Sequence, residues 1–123
     1  LEGIDRNVDA AVFVGYHTKS GSQGILNHSY DERTVAGIKI NGEEFGEFGI
    51  NALVAGEFDV PVVFVSGCNL LTEEAKFHIP EITAIEVKRT INRTASENLH
   101  PEVARSRIEA GVADALRNQK VTP

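Results

Sequence analysis

The sequence predicts an α/β fold: a mostly parallel sheet with flanking helices plus an Asn-Gly β-hairpin. Two apolar runs, at residues 10–15 and 60–66, are typical of buried strands. From residue 60 onward, strand patterns alternate with helical spacing, which indicates βαβ units and therefore parallel strands. With 123 residues, the chain fits one α/β domain over residues 1–123.

The first half of the chain combines a strand, a long loop and the hairpin. Residues 10–15 are apolar throughout, so we expect a central strand that is covered on both faces. Residues 16–34 are polar and without a period, and a loop of this length in a compact domain is often functional. Residues 34–40 alternate weakly and end at Asn41-Gly42, which predicts a type I′ turn because both of its central positions need positive φ. The return strand is expected at Glu43–Phe45.

A helix and a strand are expected next. Residues 46–58 have helical spacing, and Glu47 falls in the first turn, where the helix dipole favours a carboxylate. The predicted apolar face of this helix consists of Phe48, Ile50, Leu53, Val54 and Phe58. Asp59-Val60-Pro61 breaks the helix, and the following strand, at residues 60–66, is expected to end at Gly67.

The last third contains two more helices and one more strand. A helix is predicted at residues 70–79 and a strand at 82–87, whereas residues 90–99 leave a short helix open. Pro101 begins the last helix at a favoured position. Its apolar stripe is Val103, Arg107, Ile108, Val112, Ala115 and Leu116. The polar tail at 118–123 is expected to fray.

Composition and charge exclude several classes of protein. A net charge of -6 argues against a general nucleic-acid binder, which needs a basic face, and against binding to anionic membrane. No apolar run reaches about 18 residues, so no transmembrane helix is expected, and the acidic, mixed start predicts no signal peptide. The single Cys68 fits a reducing cytoplasm and is expected to be structural rather than reactive.

Several catalytic and nucleotide-binding motifs are absent. The chain lacks the Gly-x-Gly-x-x-Gly fingerprint, the phosphate-binding loop and the Gly-x-Ser-x-Gly nucleophile motif. A nucleotide-binding α/β module is therefore disfavoured. His78 and His100 lie at predicted helix ends and are expected to be surface or capping residues.

Three other residues suggest metal chemistry. His17 follows the first strand, His28 lies eleven residues later, and Glu47 opens a predicted helix. A catalytic zinc takes about three protein ligands and keeps one position for water. His17 and Glu47 would suit as ligands, whereas His28 could instead move protons or stabilise an oxyanion. Spacing alone leaves these roles open, and ordinary surface residues in a loop are the alternative.

The same stretches carry a family resemblance. Phe13-Val14-Gly15-Tyr16-His17, then Asn27-His28-Ser29, then the block from Gly46 to Ala52 resemble the zinc-dependent D-aminopeptidase (DppA-like) metallopeptidase family. The similarity continues in the same order through short blocks at 54–56, 59–62, 65–67, 79–80, 87–88, 90–91 and Arg93.

The resemblance implies an enzyme with an α/β fold and a two-zinc site. Its implied activity is removal of N-terminal residues, preferentially D-amino acids, from short peptides, and its implied assembly is a ring-shaped homo-oligomer. By this resemblance, His17 and Glu47 occupy metal-ligand positions, and His28 occupies the position of the catalytic histidine.

The chain also departs from the family pattern. Family members are much longer, and their other metal ligands come from an Asp-x-Glu motif and an upstream His that are not found here. Cys68-Asn69 stand where acidic residues are common. We therefore expect the central portion of a longer metallopeptidase, lacking the N-terminal metal-binding motif and the C-terminal part. Alone, it should bind zinc partially or not at all and be weakly active or inactive. The alternative is a non-catalytic assembly or ligand-binding module.

Overall fold

The computed structural model describes all 123 residues. Six strands and three helices follow one another as β1 (Ala11–Tyr16), β2 (Ile38–Ile40), β3 (Glu43–Phe45), α1 (Glu47–Glu57), β4 (Val62–Cys68), α2 (Asn69–His78), β5 (Thr83–Asn92), β6 (Ala95–Asn98) and α3 (Pro101–Arg117). None of the helices combines the length and the apolar character needed to traverse a lipid bilayer.

The main sheet has four strands in the order β1-β4-β5-β6. β1, β4 and β5 are parallel, and β6 is antiparallel to β5, which confirms the predicted mostly parallel sheet. All seven residues of β4 are buried, because helices cover this strand on both faces. Phe48 of α1 and Leu71 of α2 join the core on one face, and Ala115 of α3 packs against Phe64 on the other.

The expectation for β1 was wrong in one respect. Its only neighbour in the sheet is β4, so it is an edge strand rather than a central one. Its side chains are not covered on both faces, since Val14 is 56% exposed. An apolar run indicates a strand but not how many neighbours that strand has, which explains the error.

The hairpin lies beside the sheet as a separate two-stranded unit. β2 and β3 pair antiparallel, with Ile40 opposite Glu43, and Asn41 and Gly42 connect them with φ of 53° and 87°. Phe45 at its end stacks on His78, with ring centroids 4.7 Å apart. The hairpin therefore rests on the end of α2. The expectation of a surface His78 was wrong, because its side chain is only 10% exposed.

Four other details differ from the predictions. The apolar face of α1 is only partly buried, since Leu53 is 50% exposed. β4 does not end at Gly67 but continues through it to Cys68. Residues 90–99 contain no helix: β5 runs to Asn92 and turns into β6. The tail does not simply fray, because Val121 is 8% exposed and packs against the α3 face of the sheet.

Candidate metal centre

Three elements bring His17, His28 and Glu47 together. His17 follows the carboxyl end of β1, His28 lies in the loop after it, and Glu47 is the first residue of α1. One ligand atom from each lies within 4.8 Å of the other two. No other group of three or more His, Cys, Asp or Glu side chains in the chain is clustered this way. The structure therefore assembles the three residues that the sequence singled out.

The two imidazoles lie near the same carboxylate oxygen of Glu47. Nε2 of His17 lies 3.6 Å from Oε1 of Glu47, and Nε2 of His28 lies 3.9 Å from the same oxygen. The rings are stacked, with centroids 3.8 Å apart and planes inclined by 16°. All three side chains are between 21% and 32% exposed, so solvent and a small substrate can reach them.

Backbone carbonyls fix the tautomer of both rings. Nδ1 of His17 lies 3.0 Å from the carbonyl oxygen of Thr18, and Nδ1 of His28 lies 2.6 Å from that of Leu26. A carbonyl oxygen only accepts, so each Nδ1 carries the proton that is donated. Each Nε2 is thereby left with its lone pair directed toward Glu47, the arrangement that metal-binding histidines usually show.

The loop folds back on itself around Thr18. The Thr18 carbonyl, besides holding the His17 ring, accepts a hydrogen bond from the backbone N–H of His28 at 3.4 Å. Thr18 is 1% exposed and Ser29 is fully buried, and the Ser29 hydroxyl accepts from the N–H of Ser20. A Cβ on Gly24 would lie 2.1 Å from Oγ1 of Thr18, so only glycine fits there. These contacts bring two histidines eleven residues apart into one site.

Glu47 is oriented by its surroundings. Its Oε1 accepts a hydrogen bond from the backbone N–H of Tyr30 at 2.7 Å. One turn further along α1, the Asn51 amide donates to the Tyr16 hydroxyl at 3.0 Å, which ties the helix to the end of β1. Burial raises the pKa of the Tyr16 phenol, the Asn51 hydrogen bond lowers it and the Glu47 charge raises it. The net effect is upward, so this phenol stays protonated at neutral pH.

The donor set fits zinc. Two imidazole nitrogens and one carboxylate oxygen suit zinc, whereas calcium and magnesium prefer oxygen ligands throughout. Tetrahedral ligands at zinc distances lie about 3.3 Å from one another. The nitrogen-to-oxygen distance is 3.6 Å for His17 and 3.9 Å for His28, which exceeds this value by about 0.3 and 0.6 Å. His17 and Glu47 are therefore the pair that needs the smaller side-chain movement to reach a common ion.

Sequence reasoning missed the groups that orient these ligands. The Thr18 carbonyl and the Tyr30 N–H are backbone atoms, which every residue type offers, so no sequence signal marks them. No sequence pattern marks the contact of Glu74 in α2, which accepts a hydrogen bond from the backbone N–H of Lys19. Two other predictions agree with the structure. His100 caps α3 by accepting a hydrogen bond from the N–H of Glu102. Cys68 is 1% exposed, which fits a structural thiol.

Comparison with known proteins gives one consistent result. Residues 1–123 match the model of the protein family described as D-aminopeptidase. A D-aminopeptidase of Bacillus subtilis (strain 168) is 39% identical over 127 aligned residues, which cover 100% of this chain and 45% of that protein. The solved structure of the Zn-dependent D-aminopeptidase DppA from Bacillus subtilis, a self-compartmentalizing protease, matches with a TM-score of 0.91 at 38% identity. That match covers 99% of this chain and 44% of the other.

Proposed function

This chain belongs to the D-aminopeptidase family, and from that premise we propose that its protein is a zinc-dependent aminopeptidase. The proposed substrates are short peptides from which an N-terminal residue, preferentially a D-amino acid, is removed. The chain spans 45% of the length of its curated relative. The activity is therefore proposed for the whole protein, with weak or no activity for this chain alone.

His17 and Glu47 are the proposed metal ligands. Zinc bound there would supply an activated water and polarise the scissile carbonyl. The chain's own contribution is to hold the ligands, through the carbonyl of Thr18 behind His17 and the N–H of Tyr30 on Glu47. The complete protein is proposed to hold two zinc ions. The second ion would need ligands other than His17, His28 and Glu47.

His28 is the proposed catalytic histidine. Its Nδ1 donates to the Leu26 carbonyl, so Nε2 is the atom free to take up a proton or to donate one to a developing oxyanion. Its side chain is 32% exposed, more than that of either proposed ligand, which favours contact with the substrate.

The observation that carries the proposal is the convergence of three donor atoms within 4.8 Å. The direct test is calorimetric titration of zinc into the complete protein in its metal-free form, for the wild type, His17→Ala and a matched control, His100→Ala. His100 is 68% exposed and caps α3 far along the chain. Zinc binding that His17→Ala abolishes and His100→Ala preserves supports the site. Equal binding by all three proteins, or none by the wild type, refutes it.

Catalysis is tested by hydrolysis of D-Ala peptides with and without a chelator. The proposal requires turnover by the complete protein that the chelator removes and added zinc restores. Turnover that withstands the chelator would refute a metal-dependent mechanism. Zinc binding without any peptide hydrolysis would instead favour a non-catalytic module.

A ring-shaped homo-oligomer and a cytoplasmic location complete the proposal. The description of the Bacillus subtilis structure as self-compartmentalizing supports assembly, and so do the exposed apolar side chains of Leu53 and Phe77, which are 50% and 72% exposed. The lone, buried Cys68 is compatible with a reducing compartment. Light scattering on the purified protein measures the oligomeric state directly.

A further inference from the structure

Glu74 is a partly buried carboxylate that contacts the segment following His17. It projects from α2, and its Oε2 accepts a hydrogen bond from the backbone N–H of Lys19 at 3.0 Å. Its Oε1 is buried and has no hydrogen-bond partner. Buried polar atoms without partners are uncommon in native proteins, so each one calls for a reason.

The position of Glu74 links the two segments that carry the proposed metal ligands. Lys19 lies two residues after His17, and Gly46 immediately precedes Glu47. A Cβ on Gly46 would lie 2.5 Å from Oε1 of Glu74 and 2.8 Å from Cβ of Lys19. The backbone after His17, the backbone before Glu47 and the Glu74 carboxylate therefore meet at one point.

Packing alone does not account for a carboxylate here. The neighbouring α2 residues Leu71 and Ala75 are fully buried, so an apolar side chain at position 74 would suit the same layer. Burial raises the pKa of Glu74, although the hydrogen bond from Lys19 lowers it. The charge of the Lys19 ammonium also lowers this pKa, although the ion pair of that ammonium is with Glu44. What Glu74 provides is an acceptor for the Lys19 backbone.

We propose that Glu74 is a positioning residue for the metal centre, which sets the separation of His17 and Glu47 by holding Lys19 through its N–H against Gly46. This inference rests on the proposed function, since it needs a metal at those ligands. Glu74 itself contacts neither the metal nor the substrate. Its contribution is to keep the ligand atoms close to bonding distance before the metal arrives.

The test compares two variants of similar size. Glu74→Gln keeps an acceptor for the Lys19 N–H, whereas Glu74→Met fills the space without one. Zinc dissociation constants are measured by competition with a chromophoric chelator, and folding is checked by circular dichroism. We expect Glu74→Gln to bind zinc within about twofold of wild type and Glu74→Met about tenfold more weakly, as for other groups that orient metal ligands. Equal affinities for the two variants would overturn the proposal.

A second variant covers the case in which Glu74→Met does not fold. Gly46→Ala places a methyl group against Glu74 and Lys19, while the Gly46 φ of -92° is one that alanine adopts readily. Weaker zinc binding by folded Gly46→Ala supports the proposal, and unchanged binding overturns it. Lys19→Ala is the control, because it removes the ion pair with Glu44 but keeps the backbone N–H. If the complete wild-type protein binds no zinc, the proposed function itself is refuted. If it binds zinc and these variants leave the affinity unchanged, only the role of Glu74 is refuted.

Discussion

The imidazole of His17 stacks on that of His28, with centroids 3.8 Å apart and both Nε2 atoms facing one oxygen of Glu47. The stack exists because the Thr18 carbonyl holds the His17 ring and also accepts from the His28 backbone. Two rings held in this way have little freedom to turn. The site is therefore organised before any ion binds, which reduces the entropy lost on binding.

Glu47→Gln should weaken zinc binding by more than about tenfold. Loss of a group that only orients a metal ligand already lowers metal affinity by about tenfold, and Glu47 is proposed to be a ligand itself. The amide retains the size of the side chain and an oxygen for the Tyr30 N–H, but it lacks the negative charge. Calorimetric zinc titration measures the change. Glu44→Gln is the matched control, because Glu44 is exposed and pairs with lysines. A Glu47→Gln variant that binds zinc like this control would exclude Glu47 as a ligand.

His28→Ala should leave zinc bound but lower turnover of the complete enzyme about a hundredfold or more, as expected for a lost proton-transfer or oxyanion group. His17→Ala should lower zinc occupancy instead. Metal content of the purified variants and peptide hydrolysis rates separate the two roles. The two roles need this experiment because Nε2 of His28 lies 3.9 Å from Oε1 of Glu47, nearly as close as Nε2 of His17 at 3.6 Å. If His28→Ala releases zinc as His17→Ala does, His28 is a ligand.

Gly67→Ala should destabilise the fold by about 1–3 kcal/mol, the usual range for overpacking. The new Cβ would lie 2.5 Å from the Tyr16 carbonyl oxygen and 2.3 Å from Cδ2 of Leu71. Gly56→Ala is the contrasting variant, because its Cβ would meet only the Pro123 carbonyl carbon at 3.9 Å. It should stabilise α1 by about 0.5–1 kcal/mol. Urea unfolding measures the free energy of unfolding of both variants. If Gly56→Ala lost as much stability as Gly67→Ala, the predicted difference between the two sites would be contradicted.

His78 should make the stability depend on pH. Burial lowers its pKa in the folded chain, while Glu43 raises it and Lys19 lowers it. The unfolded chain, with a histidine pKa of about 6.5, then binds more protons than the folded chain just below that pH. Stability should consequently fall as pH drops from about 6.5 toward the folded pKa.

His78→Leu should reduce that pH dependence. The measurement is urea unfolding across pH 5 to 8 with a chelator present, so that metal binding does not contribute. His100→Gln serves as the control, because His100 is largely exposed. If the free energy of unfolding of His78→Leu changed with pH as steeply as that of the wild type, another group would cause the dependence.

The βαβ units and the position of Glu47 were predictable from sequence, because both depend on local patterns. The β5–β6 hairpin was not, since its two-residue loop is Arg93-Thr94 and contains none of the residues that mark tight turns. The edge position of β1 also lay beyond sequence reasoning, because apolar character reveals burial tendency but not sheet neighbours.

The same division applies to the metal centre. His17, His28 and Glu47 could be named because their side chains have distinctive chemistry. Their mutual distances depend on the Thr18 carbonyl and the Tyr30 N–H, and no residue type identifies such backbone contacts in advance.

Anomalous diffraction at the zinc edge, from crystals of the complete protein grown with zinc, would locate the ion itself. We expect a peak about 2.0–2.2 Å from both Nε2 of His17 and a carboxylate oxygen of Glu47. A map with no zinc between these two side chains, or with zinc bound only at other residues, would contradict it.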